Sequence, residues 1–372
     1  MPRFARCVFA VFLAVSCLSS SLTCQAAAPE TAAAAFILME AGSGRVLASR
    51  NETQERSIAS TTKIMTCLVA LEHSELTEQV TVKREHLREG SSMYLLEGET
   101  LTMEELLYGL MLPSGNDAAE CIAAHCGGQF VRWMNEKAKA LGMEHTSFAN
   151  PSGLDEAGHG SCPLDMARLA AYAMQNPTFA RIVSTRTASV GTRTMTNHNK
   201  LLASYSGCVG LKTGYTGEPL GYEVYVHSED AERGGMRMIA VTLHDGSDWA
   251  DHAALYDYGF SAYALSSGAK KGEAYGSVSV DGQSVSAVAA ESFCYPVSES
   301  ESLSVRAELP QTVSAPVRKG QTFGTLVISC GETEVGRVDL VSARSVQAQE
   351  IKSETSKNKS LAEKLWQFLS AK

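Results

Sequence analysis

The feature that most constrains the fold is a long helical stretch bracketed by apolar, strand-like runs. "AFILMEAGSGRVLASRN", from Ala35 to Asn51, reads as strand, glycine turn and strand, with Gly42 and Gly44 at the bend. From Thr102 to about Asp165 helical periodicity dominates, as in "TMEELLYGLML" and "FVRWMNEKAKALG". Strand character returns in "GYEVYVHSE" and "MRMIAVTLH", and "WADHAALYDYGFSAYA" then reads as a helix with aromatics on one face. Strand, helices, strands, helix is the order of an α/β domain whose sheet is assembled from both ends of its chain. It is assigned residues 29–268.

Near Lys270 the pattern changes. "GSVSVDGQSVSAVAA" alternates around Asp281-Gly282, a hairpin signal, and "LSVRAEL", "QTFGTLVIS" and "VGRVDLV" continue as short strands. Residues 269–345 are therefore expected to form a small all-β, sandwich-like domain, and 372 residues leave room for both units. A polar linker, 346–359, leads to "SLAEKLWQFLSAK". Ser360 and Glu363 form a capping box there. Leu361, Leu365, Trp366, Phe368 and Leu369 fall on one face, with Glu363, Lys364 and Gln367 opposite. Residues 360–372 are expected to lie in the plane of a membrane surface as an amphipathic helix.

Residues 1–28 carry a basic start, "MPRFAR", a short apolar core and small residues near Ala26 to Ala28, the pattern of a cleaved export signal. The expected location is the outer face of the cytoplasmic membrane, peripherally attached. A net charge of -9 with no basic stripe argues against nucleic acid as a partner. Three of the ten cysteines (Cys7, Cys17, Cys24) sit in the leader, and the remaining seven lack the spacing of a disulfide framework or metal site. Cys294 and Cys330 could pair. The sequence leaves that open, and no cofactor or metal is expected.

"IASTTKIMTCLVALE", Ile58 to Glu72, sets a serine before a helical apolar run and a lysine one turn inside it. A serine in that place is ordinarily a cap. S-x-x-K also recurs at Ser267–Lys270 and Ser356–Lys359, in polar surroundings where it carries no meaning. The first copy is set apart by two further elements downstream: Ser114-Gly115-Asn116 in "GLMLPSGNDAAECIAAH", then Lys212-Thr213-Gly214 in "CVGLKTGYTG". S-x-x-K, a serine–asparagine element and K-T-G, in that order, belong to active-site serine enzymes that act on β-lactams and on cell-wall peptides.

On these residues, and on "NPSGLDEAG" and "RWMNEKAKALGMEHTSFANPSGLD", the chain resembles the D-alanyl-D-alanine carboxypeptidases, the low-molecular-mass penicillin-binding proteins. The resemblance extends over nearly the entire chain, including its layout. It implies a penicillin-binding-protein/β-lactamase-like catalytic domain that acts on peptidoglycan stem peptides ending in D-Ala-D-Ala and is acylated by β-lactams. Ser60 would be the nucleophile, Lys63 its base, and Ser114 the relay to the leaving amine. Asn116 would hold the substrate backbone; Lys212 and Thr213 would take its terminal carboxylate, with Gly214 allowing close approach. The N–H groups of Ser60 and Tyr215 would form the oxyanion hole.

Two departures stand out. The family commonly continues K-T-G-x-T-x-x-A-G, whereas this chain reads "KTGYTGEPLGYEV", and "LHDGSDWADHAALYDYGF" lacks an arginine that some relatives place near the carboxylate. Both bear on carboxylate affinity more than on acylation. A β-lactamase would need a carboxylate for deacylation, and no E-x-x-x-N or E-x-x-N element falls between Ser114 and Lys212. A Ser-His-Asp hydrolase would show G-x-S-x-G, which is absent. His244, Asp245, Asp248, Asp251 and His252 read as caps and polar groups rather than a metal site, and His125 and His198 as structural. A catalytically idle peptidoglycan-binding relative is the remaining alternative.

Overall fold

The computed structural model describes residues 28–215, 221–228 and 235–348, with Trp366 and Ser370. Nearly all of the expected leader, and the expected terminal helix apart from those two residues, lie outside them. The first hairpin forms as read, β1 (Ala35–Glu40) and β2 (Val46–Arg50). A 3₁₀ turn, Ala59–Thr62, runs directly into α1 (Lys63–His73). A ribbon of β3 (Gln79–Thr81) and β4 (Thr100–Thr102) precedes α2 (Met103–Met111), α3 (Asn116–Cys126) and α4 (Phe130–Ala140).

The helical reading to Asp165 is corrected in its second half. Residues 141–162 contain no helix, and α5 begins only at Pro163 (Pro163–Ala173). Proline suits a first helical position, where its missing N–H would have no partner anyway. After α6 (Pro177–Ser184), a second ribbon, β5 (Thr187–Val190) and β6 (Arg193–Thr196), and the short α7 (Leu201–Ser204), the chain returns to the main sheet. It does so through β7 (Cys208–Tyr215), β8 (Gly221–Ser228) and β9 (Arg237–Asp245), and α8 (Asp248–Ala262) closes the unit.

The five strands run β2-β1-β9-β8-β7, every neighbour antiparallel, so β1 from the start of the chain pairs with β9 from near residue 240. All six residues of β1 are buried because the sheet is covered on both faces. With period two, Ala35, Ile37 and Met39 enter one core with α1 to α6, while Phe36 and Leu38 enter another with Leu255, Tyr256 and Phe260 of α8. β9 divides the same way: Ile239, Val241 and Leu243 on one side, Met238 and Ala240 on the other. β7, which carries Lys212-Thr213-Gly214, is one of the sheet's two edge strands, β2 being the other.

β10 (Ala264–Ala269) leads from α8 into the second unit, where β11 (Ala274–Val280) and β12 (Gln283–Ala289) follow. Asp281 and Gly282 join the last two, both at positive φ (46° and 83°), the two-residue turn that the hairpin reading requires. β13 (Phe293–Val297) pairs with β10. β14 (Leu303–Glu308), β15 (Thr312–Val313), β16 (Thr322–Cys330) and β17 (Thr333–Ser342) complete a six-stranded sheet, β14-β16-β17-β12-β11-β15. Its core gathers Val278, Val285, Leu326, Ile328 and Leu340. Cys294 and Cys330 are free thiols, as are the other five described cysteines.

One arginine ties the two units together. Arg45, in the β1–β2 turn, donates to the Pro296 carbonyl at 2.5 Å and to Glu301 Oε1 at 2.6 Å. Its guanidinium also lies 5.2 Å from the Tyr263 ring centroid and 5.1 Å from that of Tyr295. A planar cation held between two rings and a carboxylate is a use of arginine that lysine would not serve. The Glu301 carboxyl is pulled down to about 2, chiefly by its bond to Arg45.

Candidate active site

Ser60 is not a helix cap. It sits inside the 3₁₀ turn, and neither flanking residue of that turn makes a side-chain cap bond. The turn presses Ser60 against Lys63, the first residue of α1, whose Nζ lies 3.0 Å from Ser60 Oγ. Lys63 is fully buried. Its Nζ also donates to Asn116 Oδ1 at 2.8 Å and to the Ser152 carbonyl at 2.5 Å. A neutral amine has two N–H bonds and one lone pair. Both carbonyl-type acceptors can be served by the N–H bonds while the lone pair faces the Ser60 hydroxyl. Burial is the main force holding Lys63 well below the ordinary lysine value, and the charge of Lys212 adds to it.

Ser114 takes a positive φ of 62° at the end of the α2–α3 loop. Its hydroxyl is buried and makes no hydrogen bond among the described residues. Asn116 is anchored at both ends of its amide: Oδ1 accepts from Lys63 and Nδ2 donates to the Glu89 carbonyl at 2.9 Å. These bonds fix the lysine and use one of the two N–H groups on Nδ2. Asp117, next along, accepts from Ser92 Oγ at 2.5 Å and from the backbone of Met93 and Leu95 at 3.1 and 3.0 Å. That carboxylate pins the Ser91–Leu95 segment beside Ser114. Nothing in the sequence marks it, because the pairing is between the first turn of α3 and a loop more than twenty residues earlier.

On the opposite side, β7 brings up Lys212, Thr213 and Gly214. Lys212 is buried, and its Nζ donates to the Thr213 carbonyl at 2.6 Å. Tyr215 is 68% exposed at the strand's end. A cavity of about 450 Å³ elsewhere lies at the junction of the units, whereas Thr213, Gly214 and Tyr215 border one of about 370 Å³, which Lys212 does not line. Ser60, Ser91 and Ser114 line it together with Thr213, Gly214 and Tyr215 of β7 and with His198, Asp245, Gly246, Asp248 and Trp249.

His198, read as structural, therefore reaches the cavity, and burial followed by the Lys212 charge lowers its pKa. Asp245 and Asp248 also stand on its wall. Burial pushes the Asp245 carboxyl up to about 6, with Asp251 beside it adding to the effect. Asp251 accepts from Ala32 N–H at 2.6 Å, and His252 Nε2 meets Thr242 Oγ1 at 3.0 Å. No lysine or arginine is among the described residues lining this cavity. The arrangement can activate a serine hydroxyl and supply a second hydroxyl across from it. A buried cation backs the strand along which a peptide could lie.

The sequence family described as D-alanyl-D-alanine carboxypeptidase matches residues 22–247, and that of the penicillin-binding protein 5 C-terminal domain matches residues 263–348. The D-alanyl-D-alanine carboxypeptidase DacF of Bacillus subtilis is 32% identical over 315 residues, covering 78% of this chain and 80% of its own. The enzyme DacC of Escherichia coli is 30% identical over 346 residues, with 86% of each chain covered. Penicillin-binding protein 5 from Haemophilus influenzae superimposes with a TM-score of 0.76 at 25% identity, over 87% of this chain and 99% of that one.

Proposed function

This chain belongs to the D-alanyl-D-alanine carboxypeptidase family, and we propose that it works through an acyl-enzyme on Ser60 with Lys63 as the base. It is a serine-type carboxypeptidase that removes the terminal D-alanine of peptidoglycan stem peptides and binds β-lactams. That substrate places its work in the periplasm or cell wall. Domain limits of 29–268 for the catalytic unit and 269–345 for the β unit are part of the reading.

The observation that carries the assignment is the fully buried Lys63 amine 3.0 Å from Ser60 Oγ. Lys63 takes the hydroxyl proton as Oγ attacks the carbonyl carbon between the two D-alanines. The N–H groups of Ser60 and Tyr215 receive the oxyanion. Ser114 gives its proton to the leaving nitrogen and takes the one held by Lys63, the C–N bond breaks, and D-alanine departs. Water then attacks the ester, Lys63 takes its proton and hands it to Ser60 Oγ as the acyl C–Oγ bond breaks, and the shortened peptide leaves. Lys212 and Thr213 receive the terminal carboxylate, Lys212 through its charge and Thr213 through its hydroxyl, while Gly214 leaves room for the peptide along β7. Asn116 holds Lys63 through Oδ1 and takes the substrate backbone through the second N–H of Nδ2.

The test is release of D-alanine from a peptide ending in Lys-D-Ala-D-Ala, with peptide mapping of a β-lactam adduct. Turnover and an adduct within Ile58–Glu72 are expected. An adduct there without turnover would favour the idle, peptidoglycan-binding alternative.

Residues 360–372 are assigned to membrane attachment as an in-plane helix. Support comes from the sequence's apolar face and from Trp366, which is 77% exposed. No described helix is long and apolar enough to cross a membrane. Deleting residues 358–372 is expected to move the protein from the membrane to the soluble fraction on cell fractionation. Unchanged retention would remove this part of the reading.

A further inference from the structure

The loop from Ser147 to Gly160 closes on the turn that carries Ser60. At Gly153 (φ 84°) the approach is so tight that a Cβ would stand 1.9 Å from the Ala59 carbonyl oxygen. Pro151 accepts from Thr66 Oγ1 at 2.6 Å, and the neighbouring Ser152 carbonyl receives Lys63 Nζ. The loop therefore supplies one of the two acceptors that orient the lysine. Its far end is held by a histidine outside the three motifs.

His159 makes two bonds in opposite directions. Its Nδ1 accepts from the Ala149 N–H at 3.1 Å, and its Nε2 lies 2.8 Å from Thr62 Oγ1. A backbone N–H can only donate, so Nδ1 is bare and the ring proton sits on Nε2, directed at Thr62. An imidazolium has no lone pair to offer Ala149. Phe148 packs edge-on against the ring, centroids 5.9 Å apart.

We propose that His159 is a positioning residue for acylation: as a neutral imidazole it hooks the 147–160 loop to Thr62, the residue before Lys63, and so keeps the Ser152 carbonyl on Lys63 Nζ. The inference rests on Lys63 being the base. Glu156 and Asp155, in the loop, favour the charged ring, but burial outweighs them and lowers the His159 pKa. Across a cavity of about 410 Å³ the ring also faces Glu55, Arg56, Glu144 and His145, where His145 and Glu55 lie 3.6 Å apart. The hook is closed at neutral pH and opens as pH falls through the lowered value. Its contribution is present above the ordinary histidine pKa and is lost on the acid side.

The experiment measures the second-order rate of Ser60 acylation by a fluorescent penicillin from about pH 4 to pH 8, for wild type, His159→Gln and His159→Ala, with Tm recorded for each. In wild type two ionisations, Lys63 and His159, should make the acid limb steeper than a slope of one on a logarithmic plot. His159→Gln keeps a donor toward Thr62 and does not titrate. Its rate at neutral pH should stay within about threefold of wild type, with the acid limb reduced to a slope of one. His159→Ala should lose about tenfold at neutral pH, the effect of a misoriented base. Imidazole nitrogen shifts should show Nδ1 unprotonated at neutral pH.

A wild-type rate in His159→Ala, or a wild-type acid limb in His159→Gln, overturns the proposal. Should the alanine variant fail to fold, the glutamine limb and the tautomer decide alone. A wild type that is not acylated at any pH would instead refute the reading of Lys63 and Ser60.

Discussion

Ser60→Ala should lose D-alanine release and penicillin labelling together, each by at least about 10⁴-fold, with Tm and substrate affinity close to wild type. The size follows from removing the atom that forms the covalent bond; what remains is transition-state binding by the rest of the site. Fold should survive because Ser60 contributes little packing: it is half-exposed on the cavity wall, and Lys63 keeps its bonds to Asn116 and Ser152 without it. A stopped-time assay of released D-alanine, beside gel fluorescence of the labelled protein, measures both losses. Residual labelling at another serine would move the nucleophile, and Ser114, whose hydroxyl is buried at the same cavity, would be the first to map.

Lys63→Ala should slow acylation by about 10³-fold, within the range that a positioned general base supplies. It should also lower Tm, because Asn116 Oδ1 and the Ser152 carbonyl lose their buried donor, at about 1–3 kcal/mol for each unsatisfied group. Lys63→Arg should rescue neither rate nor pH dependence, since a guanidinium stays charged. In wild type the rate should rise with pH as Lys63 loses its proton and then level off. The stability linkage has the same sign: the folded state holds Lys63 below the ordinary lysine value of 10.5, so it binds fewer protons than the unfolded chain. Stability therefore falls as pH drops below that value, and stops falling once Lys63 is charged in the folded state too. An acylation rate independent of pH across the acid range would contradict both the role and the shift.

The parts of this molecule that could be read in advance are those written locally. The first hairpin shows in a glycine turn between two apolar runs, the Asp281-Gly282 hairpin in its turn residues, and α8 in its aromatic face. The three motifs announce themselves by order and setting. What could not be read is what neighbouring loops do to one another. The bonds of the Asn116 amide to Lys63 and to the Glu89 carbonyl are two such contacts. Asp117 clamps a loop whose sequence, "GSSMYLL", carries no sign of it. Asp245, Asp248 and Trp249 are legible only as a polar helix start, because periodicity says nothing about which cavity a helix N-terminus borders. The non-helical span 141–162 escapes a sequence reading for a related reason. Its backbone bonds go to side chains such as Asn135 and Asn150 rather than to a helical ladder, and that choice is made by tertiary contacts.

The pairing of β1 with β9 also sets a schedule. A chain emerging from a ribosome or a membrane channel exposes Ser60 and Lys63 early. The strand carrying Thr213 and the strand that anchors it to β1 arrive only near residues 208–245. Closing such a sheet requires contacts between residues far apart in the chain, which are slow to find. Until they form, the serine has no partner strand and the lysine no dry pocket to lower its pKa. The nascent chain carries the motif of an enzyme and none of its reactivity, so every copy that can cut a stem peptide has already threaded its catalytic half to completion.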